Sequence, residues 1–303
     1  MRDEAMKKSL SIIKATALEI LSEPLTLLVL LAALALAVLA PAFHYHQFGD
    51  PTRMARDAGF SALFTCGSVV AVFCTIRAFR REVETGTLEM ALAHPVSRTA
   101  FFLSKTAGAF LAYLVFAVIV FGTTLAVFQG ADVGGAIARK TGDIARIYGP
   151  FLAAGVAIAV LPLALSALLN RFAGARFVLS AIRISLLLAV MASAVVLYLS
   201  RFSAVRLVPV AVLVMLMALP LLAAAAAFAI RLRAHAAASA VGAVFVLMLP
   251  AVGNYYLVDR LADGGAPSWP YVGLAAAVTL PAVAAFLLLG IHFINGRDIQ
   301  WTT

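Results

Sequence analysis

The chain has 303 residues, 64% of them hydrophobic and only 12% charged, with a formal net charge of +9. A soluble domain carries about 25% charged residues, so this composition excludes a soluble globular enzyme and points to a polytopic membrane protein. The basic residues sit mainly at the ends of apolar runs, which argues for the lipid bilayer and against nucleic acid as a partner.

In chain order, Met6, Leu10, Ile13, Ala17 and Leu21 recur at helical spacing, with Lys7, Ser11 and Lys14 forming a polar stripe. Residues 1–23 therefore read as an amphipathic helix lying in the membrane interface and ended by Pro24. The segment has the basic start of a signal peptide. However, Glu4, Glu19 and Glu23 precede an apolar run longer than the ~7–15 residues of a signal core, so it is read as retained.

Eight windows approach the ~20 apolar residues needed to cross hydrocarbon: about 24–43, 59–79, 100–128, 149–170, 177–200, 205–230, 236–258 and 270–294. The expected fold is an all-α polytopic integral membrane protein, one transmembrane domain over 1–303, with no internal repeat. Pro209, Pro220 and Pro250 interrupt the later runs, so a six-span core with an extra hairpin or partly inserted pieces over 205–258 is the alternative count. Asn170–Arg176 and Arg201–Val205 demand tight turns, and Gln129–Tyr148 reads as an external loop with room for at most one short helix.

The polar residues within this frame are few. Cys66 and Cys74, eight apart on one helix, would have α-carbons about 12 Å apart, too far for a disulfide, and read as small core residues. His44 and His46 flank Tyr45 at the outer end of the first span. With no third ligand close in sequence they read as an interfacial belt rather than a metal site. Asp50, Arg53, Arg56 and Asp57 suggest a short solvated helix. Arg183 is an intramembrane charge, about 10 Å into its span from Arg176; it either lines a translocation pathway or snorkels to the surface. Asn254, near the outer end of the seventh span, is the second pathway candidate, against an aromatic belt with Tyr255 and Tyr256.

The most informative stretch is the charged island from Arg81 to Arg98, REVETGTLEMALAHPVSR, between two bilayer-length segments. A charge at the bilayer centre costs at least ~3 kcal/mol, so its three glutamates and two arginines place it in water. Thr87–Ala93 are mostly helix formers, Gly86 permits a sharp entry, and Pro95 discourages continuation. The expectation is a membrane helix that enters water, breaks at Thr85–Gly86, forms a short lateral helix and turns at His94–Pro95, with Ser97 or Thr99 capping the next span. Counting Lys and Arg with the amino terminus in the cytoplasm gives 4, 5, 2, 2 and 1 on the inside and 2, 3, 2 and 1 on the outside, 14 against 8. This bias puts both termini and the island in the cytoplasm.

The pattern Glu82-x-Glu84-x-Gly86-Thr87-Leu88-Glu89, then Pro95-Val96-Ser97-Arg98, Lys105 and Gly108, resembles the segment between the second and third spans of type-2 ABC transporter permeases. The closing Phe293-Ile294-Asn295-Gly296-Arg297-Asp298 is similar to the same family. The motif covers about residues 80–110, and the architecture most of the chain. The resemblance implies a permease subunit in a bacterial inner membrane that pairs with a second permease, identical or related, and docks on two ABC ATP-binding subunits. Substrate movement, most simply export, follows. It also implies that 80–98 holds a cytoplasmic coupling helix, Gly86–Ala93. On this reading Thr87 and Leu88 lie in that helix, Glu82, Glu84 and Glu89 supply charge for the partner, and Pro95, Ser97 and Arg98 set the exit. His44-Tyr45-His46-Gln47-Phe48-Gly49-Asp50 is similar to the subgroup linked to copper-enzyme maturation.

No GxxxxGK[ST] loop occurs, so no catalytic residue and no cofactor is expected in this chain; ATP and Mg belong to the partner. The competing expectation is a membrane-integrated assembly factor or enzyme with no transport cycle, which would place a polar cluster deep in the bundle.

Overall fold

The computed structural model describes residues 2–39, 51–84, 97–141, 145–200, 203–251 and 267–296, and among them every regular element is helical. Helix α1 spans Arg2–Ser22 and α2 Pro24–Leu39. The two are bent by 64° at Glu23, because Pro24 cannot donate the hydrogen bond that would continue α1. Thr26 locks this corner: its hydroxyl donates to the Ile20 carbonyl at 2.7 Å and lies 3.3 Å from Cys74 Sγ.

Helix α3, Pro51–Val69, passes through a π-helical turn, Val70–Cys74, into α4, Thr75–Glu84. Then come α5 (Arg98–Thr141), α6 (Ala145–Ala173), α7 (Phe177–Leu199), a 3₁₀ turn (Ser203–Leu207), α8 (Val208–Arg231), α9 (Ala234–Ala251) and α10 (Trp269–Asn295).

A helix occupies each of the eight apolar windows. Five helical stretches, 52–84, 98–131, 177–199, 205–231 and 269–295, are long and apolar enough to cross a membrane, and a sixth joins them if the bent α1–α2 pair is one span. Apolar stretches 157–173 in α6 and 234–248 in α9 are shorter. The molecule is an all-α polytopic membrane protein.

Two expectations about helix ends are corrected. The loop over Gln129–Tyr148 is largely absent: α5 continues 13 residues beyond 128 to Thr141 and α6 begins at Ala145. At 1.5 Å per residue the 44-residue α5 is about 66 Å long, more than twice a hydrocarbon core. Its backbone is already satisfied internally, so leaving the bilayer gives it no reason to stop. Nor does Pro220 break its run: it lies inside continuous α8, as Pro281 does inside α10, while Pro209 stands in the first turn of α8 and Pro250 in the last turn of α9.

The tight turn at 170–176 is closed by Gly174 at φ 63°, with the Ala175 N–H reaching the Leu169 carbonyl at 3.4 Å. A left-handed glycine here releases the chain from α6 without a Cβ clash.

Helices α5 and α8 form the centre. Tyr113, Phe116, Ile119 and Val120 of α5 pack in the main core, and α8 buries most of its length, including Ala223–Ala227. Close approach to α5 depends on small residues. A Cβ on Gly108 would lie 2.7 Å from the Ile13 carbonyl of α1, and one on Gly122 2.7 Å from the Ala189 carbonyl of α7. Cys66 and Cys74 are buried free thiols. Arg53, Arg56 and Asp57 form the first turns of α3 rather than a separate solvated helix, and Arg56 is buried. The Arg56 guanidinium sits 3.0 Å from the Asp57 carboxylate, which offsets part of its desolvation.

Candidate functional site: the charged collar around segment 85–96

Residues 85–96 lie outside the described residues, and with them Gly86, Thr87, Leu88, Glu89 and Pro95. Both feet of the segment are defined: α4 leads in and α5 leads out.

Helix α4, TIRAFRREVE, is amphipathic. Ile76 and Phe79 are buried with Phe102, Leu221 and Ile230, while the arginines face outward. Arg77 Nε stands 3.5 Å from Glu23 Oε1 and Arg81 Nη1 3.5 Å from Glu19 Oε1. Each pair of partners is four apart on its own helix, so the two contacts form a ladder between the end of α1 and α4. Arg80 donates to Glu84 Oε1 from Nε at 3.2 Å and Nη2 at 2.7 Å, and from Nη1 to the Leu232 carbonyl at 3.4 Å. It thereby fastens α4 to the α8–α9 turn.

Across the segment, Lys105 of α5 is completely buried, and its Nζ lies 2.6 Å from Glu82 Oε1. The approach is off the ideal hydrogen-bond direction, so this is chiefly an electrostatic pair; Glu82 Oε2 is buried with no hydrogen-bond partner among the described residues. The Phe79 ring, 5.5 Å from Nζ, adds a cation–π contact. A lysine without its carboxylate could not remain charged at such a site without a large penalty. Glu82 thus joins the helix entering the segment to the helix leaving it.

The exit foot is equally defined. Ser97 Oγ accepts from the Ala100 N–H at 3.2 Å, the N-cap geometry expected for α5. Arg98 Nη1 donates to the Asn295 carbonyl at 3.3 Å, tying the start of α5 to the end of α10. Three turns into α5, Gly108 lets α1 rest directly on the helix.

Of the sequence candidates, Glu82, Glu84, Ser97 and Arg98 are therefore brought to the two feet. Arg183 stands elsewhere, exposed on α7 beside buried Ile182. Asn254, His44 and His46 lie outside the described residues, within which no group of three metal-ligating side chains comes together. Sequence reasoning missed the Glu82–Lys105 pair and the α1–α4 ladder. The signals were present: an isolated Lys105 in an apolar run requires a partner, and Glu19/Glu23 share the four-residue spacing of Arg77/Arg81.

The family model described as ABC-2 family transporter protein matches residues 22–192, more than half of the chain, from the start of α2 to most of α7 and including both feet of segment 85–96. The chain belongs to the ABC-2 transporter family. It is a multi-pass permease component of an ABC transporter, and the Arg77–Glu23 and Glu82–Lys105 pairs both lie within the matched stretch. No curated protein and no solved structure matches the chain.

Proposed function

We propose that this permease couples ATP hydrolysis by separate ABC ATP-binding subunits to outward movement of a substrate, with segment 85–96 as the coupling helix. Two permease subunits, identical or related, would pair with two ATPases, and ATP and Mg would be bound by the ATPases. The protein would lie in a bacterial inner membrane with both termini cytoplasmic, as the 14 to 8 charge bias favours.

The observation that carries the reading is the buried Glu82–Lys105 pair. A docked segment can act on the membrane only if its two feet move together. This pair clamps them at the point where they leave the segment, so a push from the ATPases displaces α4 and α5 as a unit and biases a two-state membrane dimer. Glu82 then serves transmission rather than docking, and the charge for docking falls to the exposed Glu84 and to Glu89.

The test separates docking from transmission. Glu89→Arg should abolish co-purification of the ATPase subunits while the permease still inserts and keeps its thermal stability. A Glu82→Leu, Lys105→Met double variant should keep the ATPases bound but uncouple their hydrolysis from transport. Wild-type association in Glu89→Arg together with wild-type coupling in the double variant would refute the proposal.

A further inference from the structure

We propose that the groove between the α1–α2 corner, α4 and α9 binds the headgroup of an anionic phospholipid, independently of the coupling reading. The groove holds about 620 Å³; Phe73 and Ile76 line its apolar side, Arg77, Arg80 and Arg81 with the carboxylates Glu23 and Glu84 its charged side, and His235 the opposing wall.

Three observations converge on a lipid. The first is depth. Along a single helix the surface changes from a half-exposed Phe73 to Arg77 within one turn, the transition a lipid makes between its acyl chains and its phosphate. Helix α1, whose exposed Met6 and Leu10 suit an interfacial position, reaches this level with Glu23 at the groove.

The second is donor supply. Arg77 is 63% exposed and meets Glu23 only through Nε at 3.5 Å, so its two Nη groups have no hydrogen bond to a described residue. A guanidinium carries five N–H donors and takes phosphate oxygens in pairs. Arg81, also 63% exposed, borders the same wall of the groove.

The third is field. Arg231 and Arg233, on either side of Leu232 in the α8–α9 turn, are exposed and form no ion pair with a described carboxylate, so the groove's flank is net basic. A juxtamembrane basic cluster of this kind attracts anionic lipid. A narrow, half-open groove with one apolar side suits a headgroup and the root of an acyl chain better than a folded partner, which needs a broad surface.

The experiment uses the full-length permease in mild detergent, with phosphatidylglycerol and phosphatidylcholine as competing probes and native mass spectrometry as the readout. Wild type should retain phosphatidylglycerol over phosphatidylcholine by about tenfold, the order expected for one or two added charge-assisted contacts. An Arg77→Gln, Arg81→Gln double variant should lose that preference at unchanged thermal stability. Ala238→Phe, which fills the groove and leaves every charge in place, should lose it as well. Equal retention of the two lipids by wild type, an unchanged preference in both variants, or displacement of phosphatidylglycerol by millimolar inorganic phosphate would overturn the proposal.

Discussion

The two ends of this bundle are held together by different physics. At the end that carries segment 85–96, charges cross from helix to helix: Glu19 and Glu23 of α1 to α4, Glu82 of α4 to Lys105 of α5, and Arg98 to the end of α10. At the opposite end, Val38, Ala55, Val127 and Ala131 form one apolar cluster, and Leu213, Met217, Val272 and Ala275 another. There the pairs Arg53–Asp57 and Arg56–Asp57 join residues of a single helix. Charge pairs between helices favour one register, above all where a displaced Lys105 in its dry site would lose Glu82. Apolar contacts between small side chains let helices slide and repack at modest cost. The contrast makes the first end the stiffer of the two and the second the more compliant.

The largest expected effect concerns whether these two ends face opposite sides of the membrane. Ala236, in the first turn of α9, and Ser268, just before α10, are both exposed. Cysteines placed there should be labelled by an impermeant maleimide from opposite sides only, position 236 from the cytoplasm. The native thiols are buried and should stay silent. Labelling of both positions from one side would dissolve the comparison.

Next in size is the buried pair. Glu82→Gln should lower stability by roughly 3–5 kcal/mol, because it strands a charge, and thermal unfolding in detergent reads it out. Lys105→Met should cost less, since Glu82 retains 26% exposure and can be solvated. The Glu82→Leu, Lys105→Met double variant should regain most of the loss, a strongly non-additive cycle. Simple additivity would show that the pair does not clamp the feet.

Glycines give a smaller, two-signed effect. Gly108→Ala should destabilise by about 1–3 kcal/mol, because its new Cβ meets the backbone of α1 and the helix must shift. Gly242→Ala and Gly273→Ala have open space around them and should be neutral or stabilising by up to ~1 kcal/mol. The same melting experiment ranks all three.

The smallest effect belongs to the exposed ladder. Arg77→Gln and Arg81→Gln should each cost under about 1 kcal/mol, and less still in high salt. A larger loss would mean that the α1–α4 ladder carries as much of the rigid end as the buried pair does.

Hydropathy and spacing determined much of this molecule without any coordinates. Apolar windows located a helix at every span position, because a bilayer admits helices whose backbone is internally satisfied and the side chains must then be apolar. Pro24 marked the corner between α1 and α2, Ser97 the cap of α5, and the charged stretch after Glu82 the family. These are local rules, in which a residue's own chemistry decides. Tertiary structure alone decided which charges meet. Lys105 counted in sequence as one more positive residue beside a loop, and Glu82 as one more acid for a partner. Only the packing of α4 against α5 shows them 2.6 Å apart, with the lysine wholly buried. The length of α5 was hidden for the same reason: a helix does not end where its hydrophobicity ends, but where backbone hydrogen bonding is interrupted or packing turns the chain. Gly108 reads as a weak point in a helix until α1 is laid across it, because the space a missing Cβ leaves has meaning only when another backbone fills it.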